Sequence, residues 1–282
     1  GEGALDLDDP VAKWVPEPAR QGHDLTGVTV RMLLSHTSGL PDYYDPAYTS
    51  ADGAPAVGTL IVQDPQRPWT RGEVLAYAAE HYAPVGAPGE RFHYADTNYD
   101  LAGLVIEGVT GEPFTAAVRA RVIDPLGLER TWYYNVEPAP DGAGPIADAW
   151  VGDVNLTGTP ALGMDGAGGG LATTAPDLAR FLRGLERGEP VALDLLATDF
   201  TEDAVQRGLD YGYGAWRIRP GRIFFAMAGL PELVGVSGST GAFVYRSADG
   251  DVMAGTLDQT EAVEAHVEML LADVLPTLAR IR

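Results

Sequence analysis

The stretch Leu33-Leu-Ser-His-Thr-Ser-Gly-Leu-Pro41 decides the fold when it is read together with Phe92-His-Tyr-Ala-Asp-Thr-Asn-Tyr99. The first stretch closes a helix that starts at about Val28, because a Ser-Gly pair and a proline are stop signals. The second stretch leads into the clearest helix of the chain, from Asn98 to Thr110, where apolar residues recur at helical spacing until Gly111. Both stretches therefore lie where a helix ends or begins.

Further helix and strand signals follow along the chain. Thr26 or Thr29 is the expected N-cap of the first helix, Thr70 begins a helix that runs to about Tyr82, and Thr174 caps another. Residues 41–69 are expected to form a Gly/Pro-rich loop. After about residue 208 the period becomes that of strands, which we expect at Tyr213–Ile218, Ile223–Ala228, Gly241–Arg246 and Val252–Leu257, with a turn at Asp249-Gly250 and a terminal helix over Glu261–Arg282.

Helices first and then a strand meander predict an α+β architecture with an antiparallel sheet. Two more segments, Gly169-Gly-Leu-Ala-Thr-Thr-Ala-Pro-Asp-Leu178 and Gly235-Val-Ser-Gly-Ser-Thr-Gly241, complete an ordered set with the first two. The set resembles the serine β-lactamase-like superfamily, in its branch of class C β-lactamases, D-Ala-D-Ala carboxypeptidases and related esterases. The resemblance implies an antiparallel sheet flanked by helices plus a helical subdomain. It also implies a division into residues 1–27 with 200–282, the sheet subdomain, and residues 28–199, the mainly helical one.

The resemblance assigns roles to Tyr94 and Asp96, because Tyr94-Ala-Asp96 matches the family's Tyr-x-Asn or Tyr-x-Asp motif. The tyrosine of that motif shuttles protons between the nucleophilic serine and the leaving group. Asp96 stands where asparagine is commoner, which removes an amide donor and adds a negative charge. A structural alternative makes Tyr94 an ordinary aromatic residue at a helix start, with Asp96 as the N-cap.

The family's substrate-binding motif, Lys/His-Ser/Thr-Gly on a sheet strand, corresponds here to Val236-Ser237-Gly238. In the family, the residue that follows this motif gives a backbone N–H to the oxyanion hole, which would be Ser239 here. The leading cation, which recognises a substrate carboxylate, is replaced by valine. A strand hairpin of small residues is the structural alternative for this segment.

The family's first motif, Ser-x-x-Lys, supplies the nucleophile and a lysine that tunes it. Lys13 is the only lysine of the sequence, and the residue three positions before it is Pro10, so the motif does not occur in these 282 residues. The opening residues, Glu2 to Val11, look like the stretch that follows the catalytic helix in the family. We therefore expect an N-terminal part, with the catalytic helix and one or two strands, to be missing.

Ser38 and His36 are the other candidate pair for nucleophilic chemistry. Side chains at positions i and i+2 do not face each other on a helix, and in the family this stretch is a structural helix end, so a triad based on Ser38 is not expected. The remaining histidines have no metal-ligand spacing, and no phosphate loop or dinucleotide fingerprint is present. We expect no metal and no cofactor.

The amino-acid composition limits the kinds of partner that the protein can bind. With 40 acidic and 19 basic residues the net charge is −21, which argues against nucleic acid and anionic membrane surfaces. Cysteine is absent, which excludes disulfides and thiol chemistry. No apolar run approaches the roughly 20 residues of a membrane span. The expected partners are a small-molecule or peptide substrate in the cleft and a complementing N-terminal segment or chain.

The resulting hypothesis is a β-lactamase-related serine hydrolase that transfers the acyl group of an amide, ester or β-lactam to water. These 282 residues alone are expected to be inactive, because they lack the nucleophile segment. One alternative is a non-catalytic β-lactamase-like binding or scaffolding protein. Another is that a separate chain or a symmetry mate supplies the missing segment. Relatives act mostly in the cell envelope, so an envelope or secreted location is expected rather than a cytoplasmic one.

Overall fold

The structure is a computed structural model that describes residues 3–45, 50, 52–164, 166–189 and 193–256. These residues fall into two compact units, the first within 3–143 and 158–172, and the second within 144–157 and 173–256. The α-helices are α1 Val30–Leu34, α2 Val57–Gln63, α3 Arg71–His81, α4 Asp96–Thr110, α5 Phe114–Val118, α6 Ala175–Glu186, α7 Leu193–Leu196 and α8 Pro220–Ile223. The strands are β1 Trp132–Tyr133, β2 Trp150–Val151, β3 Val154–Asn155, β4 Leu171–Ala172, β5 Leu209–Tyr211, β6 Trp216–Ile218, β7 Leu233–Ser237, β8 Ala242–Ser247 and β9 Val252–Thr256.

The helix ends follow the capping signals of the sequence. The Thr70 side chain accepts a hydrogen bond from the Glu73 N–H, and the Glu73 side chain accepts one from the Thr70 N–H, which is a capping box at the start of α3. Thr29 caps α1 and Thr174 caps α6. Gly111 ends α4 in the left-handed conformation, with φ of 72°.

The first unit is organised around α4, whose Leu101 and Val105 are buried in a cluster with Val11, Val15 and Leu33. Burying each such side chain contributes roughly 1.5–3 kcal/mol. Gly108 permits the close approach of the N-terminal segment, because a Cβ there would lie 2.3 Å from the Trp14 carbonyl oxygen. Residues 3–27 thus pack with the helices, whereas the sequence-based division grouped residues 1–27 with 200–282; that division stays a prediction.

The second unit is built on a five-stranded antiparallel sheet in the order β5-β6-β7-β8-β9. Helix α6 buries Leu182 and Leu185 together with Val244 of β8. The strand turn predicted at Asp249-Gly250 lies between β8 and β9, and Gly250 has the positive φ of 91° that such a turn requires. An α+β fold with an antiparallel sheet flanked by helices, as predicted, is confirmed.

Two local predictions are wrong. Ile223–Ala228 forms helical turns rather than a strand, because Pro220 starts α8 and a 3₁₀ turn follows at Phe225–Met227. A short apolar run does not distinguish a helical turn from a strand by periodicity. Helix α2 lies inside the stretch expected to be a loop. The predicted terminal helix over 261–282 lies outside the described residues.

None of the described helices is by itself long and apolar enough to cross a membrane. Within the described ranges, one pair of helical segments, Asp96–Thr110 and Phe114–Ile123, together has the length and composition of a span, with a bend of 78° between its members. Leu101 and Val105 of this pair are buried inside the protein, as expected of a core helix.

Candidate functional site

The first turn of α4 is joined to residues 34–43 by side-chain hydrogen bonds. These bonds bring the two stretches that decided the fold into direct contact, and three of them are made by Thr97, Tyr99 and Asp100 of the helix. The partners are Thr97 Oγ1 with the Pro41 carbonyl at 2.7 Å, Tyr99 OH with the Leu34 carbonyl at 3.1 Å, and Tyr43 OH with Asp100 Oδ2 at 3.0 Å. The start of α4 is therefore fixed by groups some 55–65 residues earlier in the chain.

Asn98 lies at the centre of a buried network in this turn. Its Oδ1 accepts a hydrogen bond from Ser38 Oγ at 2.5 Å, and its Nδ2 donates to His36 Nδ1 at 3.1 Å. Ser38 Oγ also accepts from the Leu40 N–H. The Ser38 proton is thus directed to an amide oxygen rather than to a base, so the structure does not bring Ser38 and His36 together as a nucleophile and its base.

His36 is a neutral, fully buried imidazole. Its Nδ1 accepts hydrogen bonds from the Ala95 N–H and from Asn98, which places the ring proton on Nε2. Burial, together with the nearby His93, lowers the pKa of His36 to about 3. Above that pH the ring therefore carries no charge, and it does not provide a cation to its neighbours.

Asp42 lies against the N-terminus of α4. Its carboxylate accepts hydrogen bonds from the N–H groups of Asp96, Tyr44 and Asp45, at 3.0, 3.2 and 3.2 Å. Burial raises the pKa of Asp42 to about 6, and these N–H donors oppose the rise. Nothing in the sequence singled this aspartate out, although an acidic group at a helix N-terminus is a favourable arrangement.

Tyr94 occupies the last loop position but one before α4, and 41% of its surface is exposed. Its ring lies on the His36 ring, with 4.2 Å between centroids and 32° between planes. Asp96 is the first residue of α4 rather than its N-cap, which is Ala95. The neighbouring His93 is half-buried, and burial is the main cause of the lowering of its pKa. At the predicted proton-shuttle position, the exposed Tyr94 side chain thus packs against the buried, uncharged ring of His36.

The segment Val236 to Ser239 lies at the end of β7 in the second unit. Val236 pairs with Val244 across the sheet and 42% of its surface is exposed. Ser237 Oγ and Tyr245 OH form a hydrogen bond of 2.9 Å, and burial raises the pKa of Tyr245 to about 12. A phenol with such a pKa stays protonated at neutral pH, so it supports the strand without adding charge.

The hairpin that follows β7 is tight and open at its tip. The Gly238 N–H donates to the Ala242 carbonyl at 2.7 Å, and the Gly241 N–H donates to the Gly238 carbonyl at 3.0 Å. Ser239 is exposed, and within the described ranges its N–H has no hydrogen-bond partner. A backbone N–H in this state is available to an external acceptor, as the predicted oxyanion role of Ser239 requires.

Lys13 is engaged elsewhere in the first unit. Its Nζ forms an ion pair with Asp9 at 2.9 Å and lies 4.4 Å from the centre of the Trp14 ring. Among the described residues, no group of three or more His, Asp or Glu side chains is arranged to hold a metal ion.

The sequence predicted Tyr94, Asp96 and the Val236–Ser239 segment, and it missed Asp42, Asn98 and the contacts of His36. The missed residues act through partners distant in the chain. A signal did exist for Asn98 and His36, because both belong to stretches that carried the resemblance, whereas Asp42 lies just outside them.

Comparisons with known proteins agree on one family. The Beta-lactamase family model matches residues 1–268. Penicillin-binding protein 4* of Bacillus subtilis is 27% identical over 248 residues, 82% of this chain and 51% of that protein. Esterase EstB of Burkholderia gladioli is 37% identical over 142 residues, 48% of this chain and 34% of that protein. A D-stereospecific amidohydrolase from Streptomyces sp. superposes with a TM-score of 0.74 at 30% identity, covering 95% of this chain and 79% of that one. The chain thus spans about half or less of the length of these two curated relatives.

Proposed function

Because the chain belongs to the β-lactamase family, we propose that it works as a serine hydrolase on an amide, ester or β-lactam. The serine oxygen would attack the carbonyl carbon and expel the amine or alcohol, which gives an acyl-enzyme; water would then release the acid and regenerate the serine. The relatives it matches include a penicillin-binding protein, an esterase and an amidohydrolase, which supports acyl transfer as the shared chemistry.

The observation that carries the proposal is the setting of Tyr94. An exposed phenol stands at the start of α4 and is backed by the neutral His36 ring. In the proposed reaction, the Tyr94 oxygen takes the proton of the serine hydroxyl as the serine attacks and passes it to the leaving group. A phenol does this near neutral pH only if a cation lowers its pKa. His36 is uncharged, so we propose that the lysine of a Ser-x-x-Lys motif supplies that cation.

We propose that the serine and lysine come from a segment outside these 282 residues, either of the same polypeptide or of a separate chain. Lys13 has Pro10 at the motif spacing and is paired with Asp9, so it does not fill the role. The sheet offers a place for such a segment. Within the described residues, β9 pairs with β8 alone, and an unpaired strand edge readily accepts a further strand.

Val236 indicates the kind of substrate. A lysine or histidine at this position would bind a carboxylate through a charge-assisted hydrogen bond, whereas an exposed valine provides only apolar surface. We therefore propose that the substrate is an ester or amide without a carboxylate at that point, rather than a free-carboxylate peptide or a penicillin.

Labelling with a fluorophosphonate probe, followed by intact-mass measurement, tests the proposal. The 282-residue chain should remain unlabelled, and the same chain joined to or mixed with a family segment carrying Ser-x-x-Lys should gain one probe mass. In the labelled form, Tyr94→Phe should slow acylation by roughly 10²-fold or more, the typical contribution of a positioned proton-transfer group. Labelling of the 282-residue chain alone, or an unchanged acylation rate in Tyr94→Phe, would contradict it.

A non-catalytic binding or scaffolding protein is the second candidate function. Two features favour it: Ser-x-x-Lys is absent from these residues, and Val236 replaces the substrate-binding cation. The coding sequence upstream of Gly1 separates the two candidates. An in-frame serine followed three residues later by lysine favours the hydrolase, and a native start codon near Gly1 favours the binding protein.

A further inference from the structure

His36 makes a set of contacts that the proposed chemistry does not by itself require. It follows the C-terminus of α1, is fully buried, and has a positive φ of 53°. That conformation is uncommon for a residue with a side chain, and it is retained only where surrounding contacts compensate for it. Several of these contacts converge on one short piece of chain.

That piece is the backbone of His93 and Ala95, the two neighbours of Tyr94. The His93 N–H donates to the His36 carbonyl oxygen at 2.7 Å, and the Ala95 N–H donates to His36 Nδ1 at 3.1 Å. One residue thus accepts the hydrogen bonds of both neighbours of Tyr94. Because both acceptors belong to one buried residue whose ring is itself hydrogen-bonded, they constrain the backbone from His93 to Ala95.

The side chain of Tyr94 is held by the same residue. Its ring lies against the His36 ring, with centroids 4.2 Å apart, and two more aromatic rings lie near His36: Tyr99 at 5.2 Å and Phe92 at 6.0 Å. These contacts restrict the direction in which the Tyr94 phenol can point.

The orientation of the His36 ring is itself set by a hydrogen-bond chain. Ser38 Oγ donates to Asn98 Oδ1, and Asn98 Nδ2 donates to His36 Nδ1. All three side chains are buried, so each group depends on the next for its partner. A flip of the imidazole would leave the Ala95 N–H and the Asn98 amide without their acceptor.

We propose that His36 is a positioning residue for Tyr94: it accepts the backbone hydrogen bonds of both neighbours of Tyr94 and packs against one face of its ring, and thereby sets the direction of the phenol. This role rests on the proposed proton transfer by Tyr94. It differs from a charge effect, because the ring accepts at Nδ1 and is neutral. It also differs from a purely structural role, because the contacts converge on the residues that flank the phenol.

Two variants separate the contacts of His36. His36→Asn keeps an acceptor near the position of Nδ1 and tolerates a positive φ, but it removes the ring. His36→Phe keeps a ring and removes the acceptor. Amide hydrogen exchange and Tyr94 ring resonances, measured by NMR on the 282-residue chain, report the main-chain and side-chain parts of the role without any need for activity.

In His36→Phe, the Ala95 amide should exchange about tenfold faster, corresponding to roughly 1.4 kcal/mol for one lost hydrogen bond, while Val105 in the middle of α4 keeps its protection. In His36→Asn, Ala95 should stay protected and the Tyr94 ring should become mobile. Unchanged exchange at Ala95, or equal acceleration at Ala95 and Val105, would overturn the proposal. If His36→Phe does not fold, a Tyr94 ring as rigid in His36→Asn as in the unaltered chain overturns it.

Acylation in the form that carries the serine distinguishes this proposal from the proposed function. His36→Phe should lower kcat with little change in KM, His36→Asn should partly restore it, and neither should slow a Tyr94→Phe background further. Equal slowing in both backgrounds refutes the positioning role and leaves the proton-transfer role of Tyr94 intact. An active Tyr94→Phe variant refutes the proposed function, and the exchange measurements still decide whether His36 holds Tyr94.

Discussion

The surroundings of Tyr94 and the end of β7 are built in different ways. Around Tyr94, the contacts join buried residues about 60 positions apart, such as Ser38 and Asn98. At the end of β7, the contacts join close neighbours, such as Ser237 and Tyr245, and Val236 is exposed. The proposed proton-transfer residue, Tyr94, is itself exposed, but the residues that hold it are part of the core of the first unit. The proposed substrate-reading position is a surface feature, which a substitution can alter without unfolding the chain.

Asn98→Ala tests the first half of this contrast and should have the largest effect. It leaves the Ser38 hydroxyl proton without its buried acceptor, which costs roughly 1–3 kcal/mol. It also removes one of the two hydrogen bonds that His36 Nδ1 accepts, and it leaves a space in the core where the Asn98 side chain was buried. The free energy of unfolding, measured by urea denaturation, should fall by about 4 kcal/mol. Val236→Ala is the matched control and should stay within about 1 kcal/mol. Equal losses in the two variants would remove the distinction between core and surface.

Gly235→Ala tests whether the whole end of β7 has room for an added methyl group. A Cβ at Gly235 would lie 2.0 Å from the Val244 carbonyl oxygen and 2.7 Å from the Tyr245 Cα, so the backbone would have to move. We expect a loss of about 3 kcal/mol, at the upper end of the cost of overpacking. Gly238→Ala is the control, because its nearest contact is 3.9 Å away; it should change stability by less than about 1 kcal/mol.

The two glycines refine the contrast. If both variants are destabilised alike, the tip of the hairpin is as constrained as the strand, and the Ser239 N–H is then held rather than open. If neither is destabilised, β7 and β8 adapt to an added methyl group, and the register given by the Gly235–Tyr245 pair is not rigid.

How much of this structure can be predicted from the sequence depends on how far apart in the chain the interacting residues lie. The capping box of Thr70, the Thr174 cap and the Asp249-Gly250 turn were predictable, because each is encoded within a few residues. The run at 223–228 was not, since its apolar residues suit a strand, yet Phe225 is 91% exposed on a 3₁₀ turn. Asp42 and Asn98 were missed as site residues because their partners lie more than 50 positions away. Tyr94 was found only through the resemblance to a family.

The pH dependence of the free energy of unfolding reports on two titratable residues near Tyr94, Asp42 and His36. The pKa of Asp42 is raised from 3.8 to about 6 by burial. Between these two pH values Asp42 holds a proton in the folded chain that it has released in the unfolded chain. The contribution of Asp42 to the free energy of unfolding is therefore complete below pH 4 and is lost as the pH rises through 6. His36 acts in the opposite direction, because its lowered pKa makes stability rise with pH up to about 6.5.

Asp42→Asn should remove the first of these effects. The amide oxygen can still accept from the Asp96 N–H, but the side chain no longer titrates. The stability of the variant relative to the unaltered chain should therefore increase by about 2 kcal/mol from pH 4 to pH 6.5. Urea unfolding at several pH values measures this difference. A difference that does not vary with pH would mean that Asp42 is already ionised at pH 4.

Val236→Lys probes the surface side of the contrast and should have the smallest effect on stability, within about 0.5 kcal/mol, because the side chain is exposed. Its effect should appear in binding. A lysine at this position can form a charge-assisted hydrogen bond with a carboxylate, worth about 1.5 kcal/mol or more, so affinity for a carboxylate ligand should rise about tenfold. Chemical shifts of the Gly238 and Ser239 amides, followed during titration with benzoate, report this binding, and Val236→Met controls for side-chain length.

A larger gain in benzoate affinity with Val236→Met than with Val236→Lys would show that apolar contact, rather than charge, governs this position. An affinity gain accompanied by a stability loss as large as that of Asn98→Ala would place Val236 with the buried network, and the division between a rigid proton-transfer position and a tunable substrate position would then fail.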